Sequence, residues 1–391
     1  MIYSISRAAL LHELERLHMA SGAVDILQRK SEIIPFKLTD VRTPAGNIIK
    51  QEMLAAGGDC ATPFGSITCS TEVEDIVLLG TEKHYRRLMD KLKLMPYCGL
   101  AEISEELKSA LSRQQKRTVL SDGRAITYDR CLVMGIINVT PDSFYAGSRR
   151  DADSAVETAG RMLEDGADLL DIGGESTRPG SKPVSVDTEI ERVVPVIKRI
   201  RSLYPEAVIS VDTWHARTAE EAFMAGADIL NDVTAFSGDP DMEKLALDNK
   251  IPSILVHSFG SAASPSYEKD NDIDIVREVV GSLSKQANGL GLKGYPAEKV
   301  ILDPGIGFGK SRAQDLELLK GLEALSGGAY PVLLAASRKR VIGDILDLPT
   351  EERLEGSLAI AARAVESGCS MIRVHDVRET IRFIKMMEAM K

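Results

Sequence analysis

The sequence predicts a (β/α)8 barrel preceded by a small α/β extension, and three observations carry that expectation. Eight short apolar runs alternate with helical patterns from Cys131 onward. A glycine stops several of the helices just before the next run, as in Asp165-Gly166-Ala167-Asp168, Ala225-Gly226-Ala227-Asp228 and Ser367-Gly368-Cys369-Ser370. Each run ends in a polar residue. Strands alternating with helices form a parallel sheet under a helical layer, and eight such units in roughly 260 residues match a closed barrel. An open doubly wound sheet would carry a glycine-rich turn after its first strand, where this chain has Asn138-Val139-Thr140-Pro141.

The first element is a helix over Ser6–His18. Ile33–Leu38 and Ile48–Met53 read as strand-like or irregular, and Ala56–Gly65 is rich in glycine. Asp75–Gly80 reads as a strand leading into a helix over Thr81–Leu94, and Glu102–Ser112 as another helix. Val119–Thr127 has the pattern of a hairpin turning at Ser121-Asp122-Gly123, placed to plug the barrel bottom. Residues 1–118 are thus expected to be the extension and 119–391 the barrel, with Arg113–Arg117 as a solvated linker. Barrel strands are expected at Leu132–Ile137, Ala167–Ile172, Ala207–Val211, Asp228–Leu230, Ser253–Val256, Val300–Leu302, Val332–Ala335 and Met371–Val374. Helices such as Ala152–Glu164, Ala216–Ala225 and Leu354–Glu366 fall between them.

The 391 residues carry 48 basic and 58 acidic side chains, a net charge of −10, which speaks against an extended nucleic-acid footprint. Anionic small molecules stay open, because a few arginines in a cleft decide that locally. Five scattered cysteines without a Cys-x-x-Cys speak against a disulfide framework or structural zinc and fit a reducing cytosol. Arg7, Glu13, Glu15 and Arg16 interrupt the apolar N-terminus, which reads as an amphipathic helix rather than a signal peptide. No run of 18 apolar residues is present to span a membrane. The expectation is a cytoplasmic protein with neither nucleic-acid nor membrane partners.

In such barrels the chemistry sits at the C-terminal strand ends. Here those ends carry Asn138, Asp171, Asp212, Asn231-Asp232, His257, Asp303, Ser337-Arg338-Lys339 and Arg373-Val374-His375-Asp376. A cap or loop hydrogen bond would account for any one of them, but not for their recurrence on every strand. Asn138, Thr177, Arg178, Arg373 and His375 supply amide, hydroxyl and cationic groups suited to a phosphorylated group. No His-x-x-x-His or paired-carboxylate spacing marks a metal site built from protein ligands alone, so a magnesium ion held mainly by phosphate and water is expected. Asp212, Asn231, Asp303 and Lys339 suit a flat heterocycle with amidine-like N–H donors. Asp303–Lys310 lacks the ending and spacing of a Walker motif and reads as a loop needing positive φ, with Phe308 projecting over the mouth. No nucleophilic triad stands out. Trp214 and His215 read equally as loop packing or ligand contacts.

The segments Met134–Phe144, Asp171–Gly180, Asp303–Lys310, Ser337-Arg338-Lys339 and Arg373–Val377 together resemble dihydropteroate synthase, over about Cys131 to Ala389. The resemblance implies a transferase that joins 4-aminobenzoate to 6-hydroxymethyl-7,8-dihydropterin diphosphate. The products would be 7,8-dihydropteroate, for folate biosynthesis, and diphosphate, in an enzyme class targeted by sulfonamides. Carried over by motif, Asp171, Asp303, Lys339 and Arg373 would be catalytic, and Asp212, Asn231, Asp303 and Lys339 would bind the pterin. Asn138, Thr177, Arg178, Arg373 and His375 would hold the diphosphate, with Asn138 also contacting Mg2+. Pro179, Phe308, Ser337 and the Asp142–Phe144 loop would shape the aminobenzoate pocket. Barrels of this family are commonly dimers, so the resemblance also implies a homodimer.

Three features depart from the family pattern: Tyr145-Ala146-Gly147-Ser148 for Ser-Asp-Gly-Gly, His257-Ser258 for His-Met, and Arg340 for a serine. A pterin-binding methyltransferase of the same superfamily would not need Thr177-Arg178 or Arg373-x-His375, and a non-catalytic pterin binder would not keep every catalytic position filled. A synthase with a different arylamine or a modified pterin stays open through the altered first loop and the extension. The extension carries no catalytic motif, is too short for a pyrophosphokinase domain, and is expected to aid oligomerisation.

Overall fold

A computed structural model of the chain describes residues 3–390 apart from 4, 6, 20, 113–114, 140–147, 176–183, 262–263 and 266–272. The chain divides into two compact units, residues 1–114 and Gln115–Ala389.

In the first unit a three-stranded antiparallel sheet has Val73–Gly80 at its centre, flanked by Ile34–Arg42 and Asp59–Ala61. Five helices accompany it among the described residues: Arg7–Arg16, Ser21–Lys30, Thr43–Ala56, Glu82–Leu92 and Leu100–Leu111. Ile49, Met53, Ile76, Leu78, Tyr85 and Leu88 form a core of their own. The run expected to be strand-like at Ile48–Met53 is helical. The β-branched pair Ile48-Ile49 suggests a strand, but Pro44 at the start and Gly57 at φ 96° after the end are helix start and stop signals that outweigh it.

The second unit is the expected barrel. Its strands are Leu132–Asn138, Leu169–Gly173, Val208–Asp212, Ile229–Asp232, Ser253–Val256, Val300–Asp303, Leu333–Leu334 and Met371–Val374. They pair in parallel in the spatial order 6-5-4-3-2-1-8-7, and a parallel bridge between Leu302 and Val332 joins the sixth to the seventh. Strand side chains alternate between two cores. Leu132, Met134, Leu169, Ile229, Ile254, Ile301, Leu333 and Met371 fill the barrel interior. Val133, Ile137, Leu170, Ile172, Ile209 and Val211 face the helices. Arg117–Val119 and Ala125–Thr127 pair as a hairpin through Gly123 at φ 90°, and its Leu120 joins the interior cluster. Among the described residues no helix is long and apolar enough to cross a membrane.

Candidate functional site

Strand register sets the site. Asn138, Gly173, Asp212 and Asn231 lie in one row across the first four strands, at their C-terminal ends. Asp171 and Ser210 form the row beneath, two residues lower and therefore on the same face as Gly173 and Asp212. Gly173 has no side chain, so it leaves room above Asp171.

Four of the expected residues meet directly. Arg373, on the eighth strand, donates from Nε to Asp171 Oδ2 and from Nη2 to Asp212 Oδ2, each at 2.5 Å. Asn231 Nδ2 donates to Asp171 Oδ2 at 3.1 Å. Asp171 is fully buried, and its Oδ1 has no partner among the described residues; the same holds for Asn231 Oδ1 and Ser210 Oγ. A buried acceptor without a donor is costly, so this floor can take hydrogen-bond donors from beyond the described residues. Ser210 escaped the sequence reading, although its place two residues before Asp212 on one strand face could have revealed it.

One guanidinium between two carboxylates shapes the electrostatics. Burial pushes the Asp212 carboxyl up to about 7; Arg373 opposes that and the Asp171 carboxylate adds to it. Burial alone would lower the Arg373 pKa, but Asp171 and Asp212 outweigh it and the net direction is up.

The sixth and seventh strands supply a second group. Asp303 is buried and accepts from the Gly305 backbone N–H at 2.7 Å. Burial raises its pKa, against the pull of Lys339. Lys339 donates to the Ile306 carbonyl at 2.5 Å and stands 4.3 Å from the centroid of the Phe308 ring, a cation–π contact. Burial lowers its pKa to about 8, with Asp303 opposing. Phe308 packs against the barrel-interior cluster. Its loop takes positive φ at Gly305, Gly307 and Gly309.

Lys310, fully buried, donates to the carbonyls of Gly305 at 2.8 Å, His257 at 3.0 Å and Phe308 at 3.3 Å, which ties the loops after strands five and six together. His257, just before the departure at Ser258, is buried, with Nδ1 unpartnered among the described residues. Burial, helped by Lys310, lowers its pKa to about 3. Asp232 belongs to the turn rather than the site: it accepts from Thr234 N–H and Oγ1 and from the Phe236 N–H.

His375 and Ser337 meet across the last two strand ends, with Oγ 3.2 Å from the His375 backbone nitrogen and 3.1 Å from Nδ1. Between Ser337 and Lys339, Arg338 adopts φ 56° and forks onto Asp376 at 2.5 and 2.8 Å, coupling the two loops. Thr177, Arg178 and Pro179, and the Asp142–Gly147 loop, lie outside the described residues.

No sequence spacing marks a metal site built from protein ligands alone, but the fold brings one candidate group together. Glu175, Glu189 and His215 bring one ligand atom each within 4.8 Å of one another. They come from two loops and a helix, so no sequence spacing announces them.

Residues 134–375 match the family described as pterin binding enzyme. The dihydropteroate synthase of Bacillus subtilis is 43% identical over 278 residues, 71% of this chain and 94% of that one. The bifunctional dihydropteroate synthase/dihydropteroate reductase of Helicobacter pylori is 33% identical over 387 residues, 98% of this chain and 97% of that one. Among solved structures, Xanthomonas albilineans dihydropteroate synthase with 4-aminobenzoic acid superposes with a TM-score of 0.65 at 39% identity, over 71% of this chain and 98% of that one.

Proposed function

The chain belongs to the dihydropteroate synthase family of pterin-binding enzymes, and on that premise we propose how its own residues divide the work. The family reaction makes 7,8-dihydropteroate from the pterin diphosphate and 4-aminobenzoate. The observation that supports the site assignment is the group of buried acceptors without a partner among the described residues, Asp171 Oδ1 and Asn231 Oδ1, beside Asp212. A pterin presents N–H donors along one edge, and a carboxylate with an amide oxygen can accept them as a set. Asp212, Asn231, Asp303 and Lys339 hold the ring, and Phe308 with Pro179 and Ser337 bounds the aminobenzoate side.

Cleavage of the C–O bond leaves negative charge on diphosphate and positive charge on the pterin methylene. The arylamine nitrogen then bonds to that methylene and gives up a proton. Arg373 serves the negative charge. Its Nε and Nη2 are held by Asp171 and Asp212, while Nη1 makes no bond among the described residues and is left for phosphate oxygens. His375, Thr177 and Arg178 add to it, and Asp171 and Asp303 stabilise the methylene cation. Asn138 offers a hard amide oxygen at the end of the first strand, which fits Mg2+ keeping phosphate oxygens and water as most of its ligands. Bound there, the ion would neutralise charge on the leaving diphosphate. We place the protein in the cytoplasm, as a homodimer.

The test is diphosphate release from 6-hydroxymethyl-7,8-dihydropterin diphosphate and Mg2+, with and without 4-aminobenzoate. Release coupled to dihydropteroate formation is expected. Pterin binding without product would sink the assignment and turn attention to a different arylamine.

A second reading is favoured by the Helicobacter match, which runs through the first unit as well as the barrel. We infer that this chain also reduces its product, with a reduced nicotinamide or flavin as electron donor. Supplying dihydropteroate and each donor should yield tetrahydropteroate; donor that stays unconsumed in both cases rules this activity out.

A further inference from the structure

Between the ends of the second and third barrel strands lies a cluster that the synthase chemistry does not use. Glu175 stands two residues past the strand Leu169–Gly173. Glu189 lies in the first turn of the helix Val186–Leu203, and His215 stands three residues past the strand Val208–Asp212. Glu189 is fully buried. Its Oε2 accepts from Thr218 Oγ1 at 2.7 Å and lies 2.8 Å from His215 Nδ1, whereas Oε1 has no partner among the described residues. Glu175 receives the Trp214 indole N–H at 3.1 Å and the Val184 backbone N–H at 3.3 Å. The Trp214 ring lies against the imidazole, centroids 3.9 Å apart. Two carboxylates therefore face a single imidazole. Even a protonated histidine leaves one negative charge uncompensated, and a buried carboxylate oxygen without a donor is the arrangement a cation relieves.

We propose that Glu175, Glu189 and His215 bind one divalent transition-metal cation of the zinc class, at a site separate from the metal of the substrate diphosphate. Three protein ligands of mixed carboxylate and imidazole type, with a fourth position for water, make a common open zinc set. The absence of thiolate from the set disfavours soft Cu(I), and Mg2+ holds its waters too firmly to take an imidazole. Zinc–ligand distances of about 2.0–2.2 Å put tetrahedral donors about 3.5 Å apart. The cluster must contract by about an ångström from its 4.8 Å span, and Glu175, only half-buried, can swing to do so. The ion takes Nδ1 from its contact with Oε2 and binds the unpartnered Oε1, while Oε2 keeps the Thr218 hydroxyl. The Trp214 N–H and the Thr218 hydroxyl then orient the two carboxylates from outside, as outer hydrogen bonds do at metal centres. A cation here also fixes Glu175, two residues before Thr177, to the end of the third strand.

The test uses full-length protein freed of metal with a chelator, then dialysed against micromolar Zn2+ with millimolar Mg2+ and no substrate. One equivalent of zinc per chain is expected, with a rise in Tm that Mg2+ alone does not give. Co2+ in its place should give visible absorption of an oxygen–nitrogen site. Glu189→Gln and His215→Gln should each weaken binding about tenfold or more, while Cys69→Ser, at an exposed thiol, leaves it unchanged. The idea fails if the wild type binds no zinc, if binding survives both ligand variants, or if the cobalt spectrum carries thiolate bands. If Glu189→Gln does not fold, wild-type stoichiometry and His215→Gln decide the matter alone. Absence of zinc would leave a protonated His215–Glu189 pair as the whole of the cluster.

Discussion

Arg373 is where single-residue chemistry and stability meet. Its side chain is 13% exposed and bridges two carboxylates. The sequence alone suggests that Arg373→Ala would lose activity and keep its fold. The geometry changes the second half of that expectation, because truncation strands two buried anions, at about 3–5 kcal/mol for a broken buried pair. Arg373→Ala should therefore lower both kcat/KM and Tm. Arg373→Lys keeps the charge without the fork, so its Tm should fall less while kcat/KM drops on the order of a hundredfold. A lysine variant with wild-type turnover would remove Arg373 from the diphosphate role.

Lys339 gives the pH dependence. Its folded pKa of about 8 lies below the ordinary lysine value of 10.5. The unfolded chain thus binds more protons between those values, and this group's contribution to stability improves as pH rises from about 8 to 10.5. Activity should run the other way, with pterin affinity falling as the ammonium deprotonates above about 8. Lys339→Arg, charged throughout, should carry that alkaline limb to higher pH; an unmoved limb assigns it to another group.

These residue types were legible because they recur at strand ends. That Arg373 would be held by Asp171 and Asp212 was not, since the contact spans 202 positions of sequence to Asp171. Glu189 was invisible for a different reason: an acid in the first turn of a helix is already explained by the helix dipole.

Among the elements, the loop after the sixth strand is the one whose sequence and geometry agree most closely. Gly305 takes φ 66°, and a Cβ there would lie 1.9 Å from the His257 carbonyl oxygen, which is backbone and cannot yield cheaply. Gly305→Ala combines that collision with a left-handed backbone and should cost about 3 kcal/mol. It should also displace the carbonyl that Lys310 holds. Gly281, inside the helix Ile275–Leu292, has nothing within 4 Å of a built Cβ. Gly281→Ala should therefore stabilise by about 0.5–1 kcal/mol. Thermal melts of the two variants are expected to move in opposite directions, and parallel shifts would mean the loop tolerates rearrangement.

The Asp303–Lys310 loop was readable because three glycines in five positions have few other uses. The helix Thr43–Ala56 was misread because β-branched isoleucines outweighed Pro44 and Gly57, whose positions mark its two ends. The seventh strand, expected over Val332–Ala335, is Leu333–Leu334, paired with Met371 and Ile372.

For the whole molecule, the question is which part of the chain the synthase needs. The second unit holds both barrel cores and the hairpin that contributes Leu120 to the interior. The Bacillus relative, 94% of whose length is matched by 71% of this chain, is itself of barrel size. A protein beginning at Gln115 should therefore melt cooperatively and keep synthase turnover within a few-fold of the full chain, while any reductase activity is lost. The cut has to fall before the hairpin. Leu120 is 2% exposed among Leu132, Met134 and Ile301, so Leu120→Ala alone should cost about 2–5 kcal/mol. A protein beginning at Tyr128 loses the whole hairpin and should fail to fold. The pair of truncations, read by Tm and by diphosphate release, separates two roles for the first unit. If the Gln115 form folds but is inactive, the first unit supplies something to synthesis itself. If it is active but of lower mass state than the full chain, the first unit serves assembly.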